Sequence, residues 1–495
     1  MDERIPPPWR IGTVAALGLI LTGVLMLPYA QNGFWFDDSL NSQTWGLINR
    51  FHSDVWSFSV TVVYAWLTEY GRILFCWPAL YGFFYLVRDV LAVRLIDISL
   101  LLVHVGLTVV LLRRVGVRWH VVGFFLLFLM PLFQIRNGDD PIAAYATFSQ
   151  VLGILLSVSL LLLQRWHETE RTWLLIASTT VAIASMLCYE VNVIYVPIAL
   201  IAVVSRTRKR MSNGYIVLAP FFCFVFADLI LKRSATNAYD GSRVGSFSAI
   251  PLAYFKQLVG ALPGSFYALS GRDAVAPSSL LQLVMHSKLA WIAGCVWILL
   301  FMALANAKRP RQSLPQSTLL GASVFLFITP VLIAVSSKYQ SSLNWGSAHL
   351  PVYYEYFGLA ILAATLIDRL LPAHRVVWAL LLAIPSGVYV GANWEMNMHQ
   401  SAYFDAIYRE PRDSFVSALH SGLLDNVRDG DVVQFENQPI FINGNLVYQT
   451  VQKRLVVENE GATAGWFQAN PRRDARRYRI WRDAATRGLW KIAAK

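Results

Sequence analysis

Two carboxylates stand side by side at Asp37 and Asp38, directly after the aromatic trio Phe34-Trp35-Phe36 and just beyond an apolar run, Ile11 to Tyr29. Ionisable groups at the mouth of a membrane helix are costly near hydrocarbon and by default mark sites of function. The competing use is local: Asp is a common helix N-cap, and either residue would serve to start a helix running through Leu40 to Ile48. Further acidic groups occur in Arg136-Asn137-Gly138-Asp139-Asp140-Pro141 and Cys188-Tyr189-Glu190, and cations in Lys232-Arg233, Arg243 and Lys338-Tyr339-Gln340. A carboxylate beside a cationic clamp suits transfer of a group away from a phosphate. The carboxylate accepts the proton of the attacking hydroxyl, and the cations stabilise the phosphate that departs. For glycosyl transfer with inversion one base is enough. Neighbouring residues cannot easily face the same atom, so one member of each acidic pair meets the acceptor. The other positions a helix, holds a basic side chain or takes a divalent cation. Sugar contacts fall to Trp35, Tyr189 and Tyr239. Phe34, Phe36, Trp45 and Trp56 offer stacking faces too, although an interfacial aromatic belt uses the same residue types.

These residues need a scaffold that brings them to one surface, and composition indicates its class. The 495 residues are 56% hydrophobic and only 15% charged, with a mean hydropathy of +0.47, a balance that ordinary soluble domains do not have. Apolar segments of membrane-spanning length recur from Ile11 onward. The first lacks a small-residue cleavage site and is read as a retained helix rather than a removable leader. The formal net charge of +12 is gathered largely in short turns between apolar runs. That is the pattern of cytoplasmic loops facing anionic lipid and does not point to nucleic acid. Cys76, Cys188, Cys223 and Cys295 lie in or beside apolar runs with no CxxC or His-Cys spacing, so neither a disulfide framework nor a zinc site is indicated.

Arg4 and Arg10 precede the first run, which places the amino terminus inside and Asp37-Asp38 outside. The following runs are Leu95 to Leu112, Val121 to Phe133, Phe148 to Leu163, Trp173 to Leu187, Val191 to Val204 and Tyr215 to Leu231. Leu289 to Ala305, Leu319 to Val335, Val352 to Ile367 and Val376 to Val390 complete the series. Together they predict a multi-pass α-helical membrane protein of about eleven transmembrane helices, with the strongly basic turns inside. A first external loop covers residues 31–93. It holds Val55 to Leu67, read as an interfacial helix, and Ile73 to Val87, which Pro78 interrupts and which is marginal for a crossing. A later external loop covers residues 232–285. In this topology Asp37, Asp38, Asp139, Asp140 and Glu190 share the outer side with Lys232, Arg233, Arg243 and Lys338. Cations beside spans are normally cytoplasmic, so four of them outside need another reason, and an anionic lipid headgroup supplies one. Pairing with the acidic residues or snorkelling to outer headgroups is the plainer use.

Residues 1–392 are thus expected to form a transmembrane catalytic domain, and residues 393–495 a small C-terminal external α/β domain on the periplasmic side. Within the latter, 399–423 read as helical, while Asp431 to Glu436, Ile440 to Thr450 and Arg454 to Glu458 alternate like strands. The basic tail Arg472-Arg473-Asp474-Ala475-Arg476-Arg477 suits anionic lipid or polysaccharide, or simply a solvated surface.

The order of these motifs resembles the GT-C superfamily of polyprenyl-phosphate-sugar-dependent membrane glycosyltransferases. The O-antigen glucosyltransferases are nearest; protein mannosyltransferases and lipid A aminoarabinose transferases are more distant. The likeness is carried by Asp37-Asp38 after the first span, Gly71-Arg72, Arg94, Arg136 with Asp139-Asp140, Tyr189-Glu190, Lys232-Arg233 with Tyr239-Asp240-Gly241, and Lys338 before Leu350-Pro351-Val352-Tyr353-Tyr354. It covers roughly residues 10 to 390. It implies a base in the first external loop, with Asp38 narrowly preferred to Asp37, and a donor phosphate held by Lys232, Arg233, Arg243 and Lys338. Asp139, Asp140 and Glu190 are expected in support. The implied partners are a polyprenyl-phosphate-linked sugar donor, a lipid-linked or surface glycan acceptor and membrane lipid, at the outer face of a bacterial inner membrane. A ligase or flippase of lipid-linked glycan, or a non-catalytic cell-envelope assembly protein, would use related surfaces.

Overall fold

Each of the eleven expected spans falls on helix in the computed structural model. The structure describes residues 8–136, 140–206, 210–237, 239–269, 282, 284–285, 287–306, 316–370, 375–436, 441–458, 474–483 and 489–494. Among them, six helices are long and apolar enough to cross a membrane: Val90–Arg114, Phe148–Thr169, Ser212–Ser234, Lys288–Ala305, Thr318–Val335 and Val376–His420. Ala16–Ala30, Trp119–Leu132, Thr172–Cys188 and Glu190–Ser205 are apolar but shorter. The marginal segment Ile73 to Val87 folds as a helix over Trp77–Leu86 only. At 1.5 Å per residue this is about 15 Å, half a bilayer core.

The chain divides into two compact units, one from Met1–Gln31, Trp66–Leu74 and Arg94–Ser401, the other from Asn32–Ala65, Phe75–Val93 and Ala402–Lys495. In the first unit, Phe148–Thr169 and Thr172–Cys188 form an antiparallel hairpin. Its turn is made by Glu170 in the left-handed region at φ 54°, and Ser178 Oγ bonds across it to the Ser159 carbonyl at 2.7 Å. Helix Val352–Leu370 packs between Gln316–Phe327 and Trp119–Leu129. Close approach to the former depends on Gly358, where a Cβ would lie 2.7 Å from the Ala322 carbonyl oxygen. Small residues at such crossings let helices meet at van der Waals distance, the main source of attraction between helices in lipid.

In the second unit, helices Phe36–Asn41, Thr44–Arg50 and Trp77–Leu86 pack with residues 402–495. The long helix Arg375–Phe404 runs into a π turn, Asp405–Arg409, and then helix Glu410–His420. A four-stranded sheet follows: β1 (Val432–Glu436), β2 (Val456–Val457), β3 (Arg477–Asp483) and β4 (Leu489–Ala494), in the order β2-β1-β3-β4. β1 runs parallel to β2 and β3, and β4 antiparallel to β3. Tyr478 and Ile480 face a core with Phe415, Leu419, Val433, Leu446 and Trp490, while Arg477 and Arg479 alternate outward to pair with Glu458 and Glu436. Where a strand is expected over Ile440 to Thr450, residues Gly444–Val451 are helix. Asn443 is its N-cap, the side chain accepting from the Asn445 and Leu446 amides at 2.9 and 3.4 Å, which satisfies donors a helix start leaves orphaned. The basic tail is described only from Asp474, and it leads directly into β3.

Candidate functional site

Two candidate constellations emerge, one within each unit. In the first, Gly71 sits at φ +64°, and a Cβ there would fall 2.9 Å from both the Leu231 carbonyl oxygen and Lys232 Cα. Glycine thus lets segment 66–74 lie against the end of helix Arg210–Ser234. Backbone bonds fasten it there, Asn237 N to Glu69 O at 2.8 Å and Tyr239 N to Tyr70 O at 3.1 Å. The next residue, Arg72, reaches Glu190 Oε1 at 2.8 Å and lies 5.3 Å from the Tyr189 ring and 5.1 Å from that of Tyr239. Segment 240–246 is fastened to 335–340 in turn. Gly245 N bonds Val335 O at 2.8 Å, Ser337 N bonds Arg243 O at 2.9 Å, and Gln340 holds Ser246 through both backbone groups. Lys338 consequently meets Tyr239, donating to its hydroxyl at 3.0 Å, with its ammonium 5.2 Å and 5.4 Å from the Tyr239 and Tyr339 rings.

The result is a cluster of two cations, one carboxylate and three tyrosines. Burial works against the charge on Arg72, but Glu190 and the surrounding phenols outweigh it and hold the guanidinium above its ordinary pKa. Burial likewise raises the Tyr189 phenol, with Arg72 opposing. Arg72 is therefore fully charged at neutral pH, and the tyrosine faces attract both basic side chains by their quadrupoles.

The other expected phosphate ligands are placed differently. Lys232 pairs along its own helix with Asp228 at 2.5 Å. Arg243 pairs with Asp240 at 3.2 Å, both side chains well exposed, a geometry in which solvent leaves little net attraction. Arg233 is exposed at the helix end. Asp139 lies outside the described residues. Asp140 is buried and organises its own loop, accepting from the Arg136, Ile142 and Ala143 amides at 3.0, 2.8 and 2.6 Å. Burial raises its pKa, against the pull of those donors. Arg136 is wholly buried and staples three segments, donating to Gly260 O, Gly346 O, Ser347 O and the Tyr356 hydroxyl. A buried acid that the motif reading passed over is Glu355, which accepts from Gln257 Nε2 at 2.8 Å. The available signal was an ionisable residue inside an apolar helix.

In the second unit, Asp37 and Asp38 fall in the first turn of helix Phe36–Asn41, whose N-cap position is Trp35 with no side-chain capping bond. Asp37 is exposed and Asp38 fully buried. Trp35 is also fully buried, its ring 5.1 Å from Phe404 and its Nε1–H donating to Asp405 Oδ1 at 3.1 Å. Its face, expected to contact sugar, packs within this unit. The same Asp405 oxygen accepts from Gly33 N at 2.9 Å. Phe36 has φ +47°, a left-handed conformation that costs a bulky residue on the order of 1–3 kcal/mol. Its ring is held by Phe404 at 5.2 Å and Tyr408 at 4.9 Å. Arg412 lies 5.1 Å from the Phe34 ring and donates to Ser42 Oγ at 3.0 Å.

Among the described residues no group of three or more His, Cys, Asp or Glu side chains is placed to hold a metal ion. No family model matches the chain, and no curated protein matches it. Among solved structures, the chain is similar to the crystal structure of ArnT from Cupriavidus metallidurans bound to undecaprenyl phosphate, over 98% of each chain, at 12% identity and a TM-score of 0.47.

Proposed function

We propose that the chain is an inverting membrane glycosyltransferase. It moves a sugar from a polyprenyl-phosphate donor to a lipid-linked or cell-surface glycan on the outer face of a bacterial inner membrane. The observation that supports this most is the Arg72–Lys338 cluster, where two cations share the faces of three tyrosines and Arg72 also pairs with the carboxylate of Glu190. Lys338 donates to the Tyr239 hydroxyl and its side chain is exposed, so an incoming phosphate meets an ammonium already held in place. In the reaction, an acceptor hydroxyl oxygen bonds to the anomeric carbon while the bond from that carbon to the donor phosphate oxygen breaks. The hydroxyl proton passes to a carboxylate, and the electron pair leaves with the polyprenyl phosphate. Arg72 and Lys338 stabilise the charge that grows on the leaving group. The base is drawn from the first external loop. Exposure now favours Asp37, because a side chain open to solvent can receive an acceptor hydroxyl and a buried Asp38 cannot.

The test is transfer of radiolabelled sugar from polyprenyl phosphate to acceptor glycan in proteoliposomes. Lys338→Ala is expected to lower kcat/KM for the donor by about 10- to 100-fold, the scale of one charge-assisted contact. Donor movement across the bilayer with no new glycosidic bond would overturn the reading.

A further inference from the structure

The backbone that carries Asp37 and Asp38 is held in an unfavourable conformation by a residue far away in the chain. Phe36, the residue before the pair, sits at φ +47°, where a phenylalanine does not stay unless its surroundings over-determine it. Two sets of contacts do so. Its ring and that of Trp35 pack on Phe404 and Tyr408, and Asp405 Oδ1 accepts from both Gly33 N and Trp35 Nε1. Asp405 therefore ties down the peptide and the side chain on either side of Phe34, just ahead of the strained residue. A Cβ at position 33 would lie 3.0 Å from Asp405 Oδ1 and from Arg409 Cβ, so the approach is tight. Independently, the helix changes register at this point: Asp405–Arg409 is a π turn between α-helical segments. π turns within helices are rare and concentrate at functional sites. Here the wider turn begins with the residue that grips 33 and 35. Arg409, one turn on, lies 3.6 Å from the other oxygen of Asp405.

We infer that Asp405, presented by the π turn, is a positioning residue that sets the aim of the Asp37-Asp38 carboxylates by holding the strained Phe36 turn. The inference rests on reading this pair as the source of the catalytic base. Asp405 touches no reacting atom. Its effect is to keep the first turn of helix Phe36–Asn41 from relaxing to right-handed φ, which would swing the following carboxylates away.

The experiment compares full-length Asp405→Ala and Asp405→Asn in nanodiscs by amide hydrogen exchange over residues 33–40 and by steady-state transfer. Asparagine keeps an acceptor oxygen for both donors and loses only the charge; alanine removes the acceptor. In Asp405→Ala, exchange is expected to rise at least about tenfold and kcat to fall at least about tenfold with donor KM within about twofold, because small misplacements act on the chemical step. Asp405→Asn is expected to return both quantities to within about threefold of the parent. Parent-like exchange and kcat in Asp405→Ala would overturn the inference, as would a loss that asparagine does not rescue. If Asp405→Ala fails to fold, Asp405→Leu, which has a similar size and no acceptor oxygen, is compared with Asp405→Asn by the same two readouts and the same outcomes. Exchange is read without substrate. A parent chain that shows protected residues 33–40 but transfers no sugar therefore sinks the glycosyltransferase reading. A parent that transfers sugar, with unchanged exchange in Asp405→Ala, sinks this one.

Discussion

A single added methyl group tests the Arg72–Lys338 cluster most directly. Gly71→Ala combines a disfavoured φ with a Cβ 2.9 Å from backbone atoms of Leu231 and Lys232 that cannot rotate away. It is expected to cost about 2–4 kcal/mol, seen as a lower midpoint of thermal unfolding in detergent, and to weaken donor binding by displacing Arg72. At the carboxylate pair, Asp37→Asn is expected to lower kcat by about 100-fold or more with little change in stability, the loss of a general base at an exposed position. Asp38→Asn should act mainly on the unfolding midpoint, because its side chain is buried. A larger kcat loss in Asp38→Asn than in Asp37→Asn, with parent-like stability in both, would restore the sequence preference for Asp38. Residue types were legible along the chain, and so, in hindsight, were two of the pairings. Asp228 stands four residues before Lys232 and Asp240 three before Arg243, spacings that bring side chains together on a helix or turn. The Arg72–Tyr239–Lys338 association was not legible, because its members come from three distant segments joined by backbone bonds.

Among elements, the helix Gly444–Val451 shows how a signal divides between two readings. Asn443-Gly444 has the composition of a hairpin turn, yet Leu446, Val447, Thr450 and Val451 also recur at helical spacing, and the Asn443 side chain decides for helix by capping it. Asn443→Ala is expected to cost about 1 kcal/mol, the usual value of an N-cap, measurable as a shift in the denaturation midpoint. Strands β3 and β4 were hidden for another reason. In Arg477-Tyr478-Arg479-Ile480-Trp481-Arg482 the period-2 alternation is present, but a run of arginines reads first as a solvated tail. The long hydrophobic spans posed no such conflict, since length and hydropathy alone specify helix in a bilayer, where backbone polar groups must bond internally.

At the level of the whole molecule, the series of helices was readable, whereas the gathering of 32–65 and 75–93 with 402–495 was not. That grouping depends on contacts such as Arg50 donating to Leu455 O at 2.6 Å and Asn445 Oδ1 at 3.0 Å, across sequence separations that no local pattern reports. A chain truncated after Phe404 should therefore lose protection of residues 32–65. Arg50, 4% exposed in the intact chain, is expected to become a trypsin site, detected by mass spectrometry of the released peptides. Survival of an intact 32–65 segment in the truncated chain would show that it folds alone. The division also has a consequence in time. Residues 32–65 and 75–93 emerge from the ribosome roughly 300 residues ahead of the segment they pack with, which at about 5–20 residues per second is a wait on the order of 15–60 s. Throughout that interval the Trp35 and Phe36 rings have no Phe404 to pack on. Biogenesis of this protein thus calls for an escort, chaperone or lipid surface that shelters an early aromatic segment until translation ends.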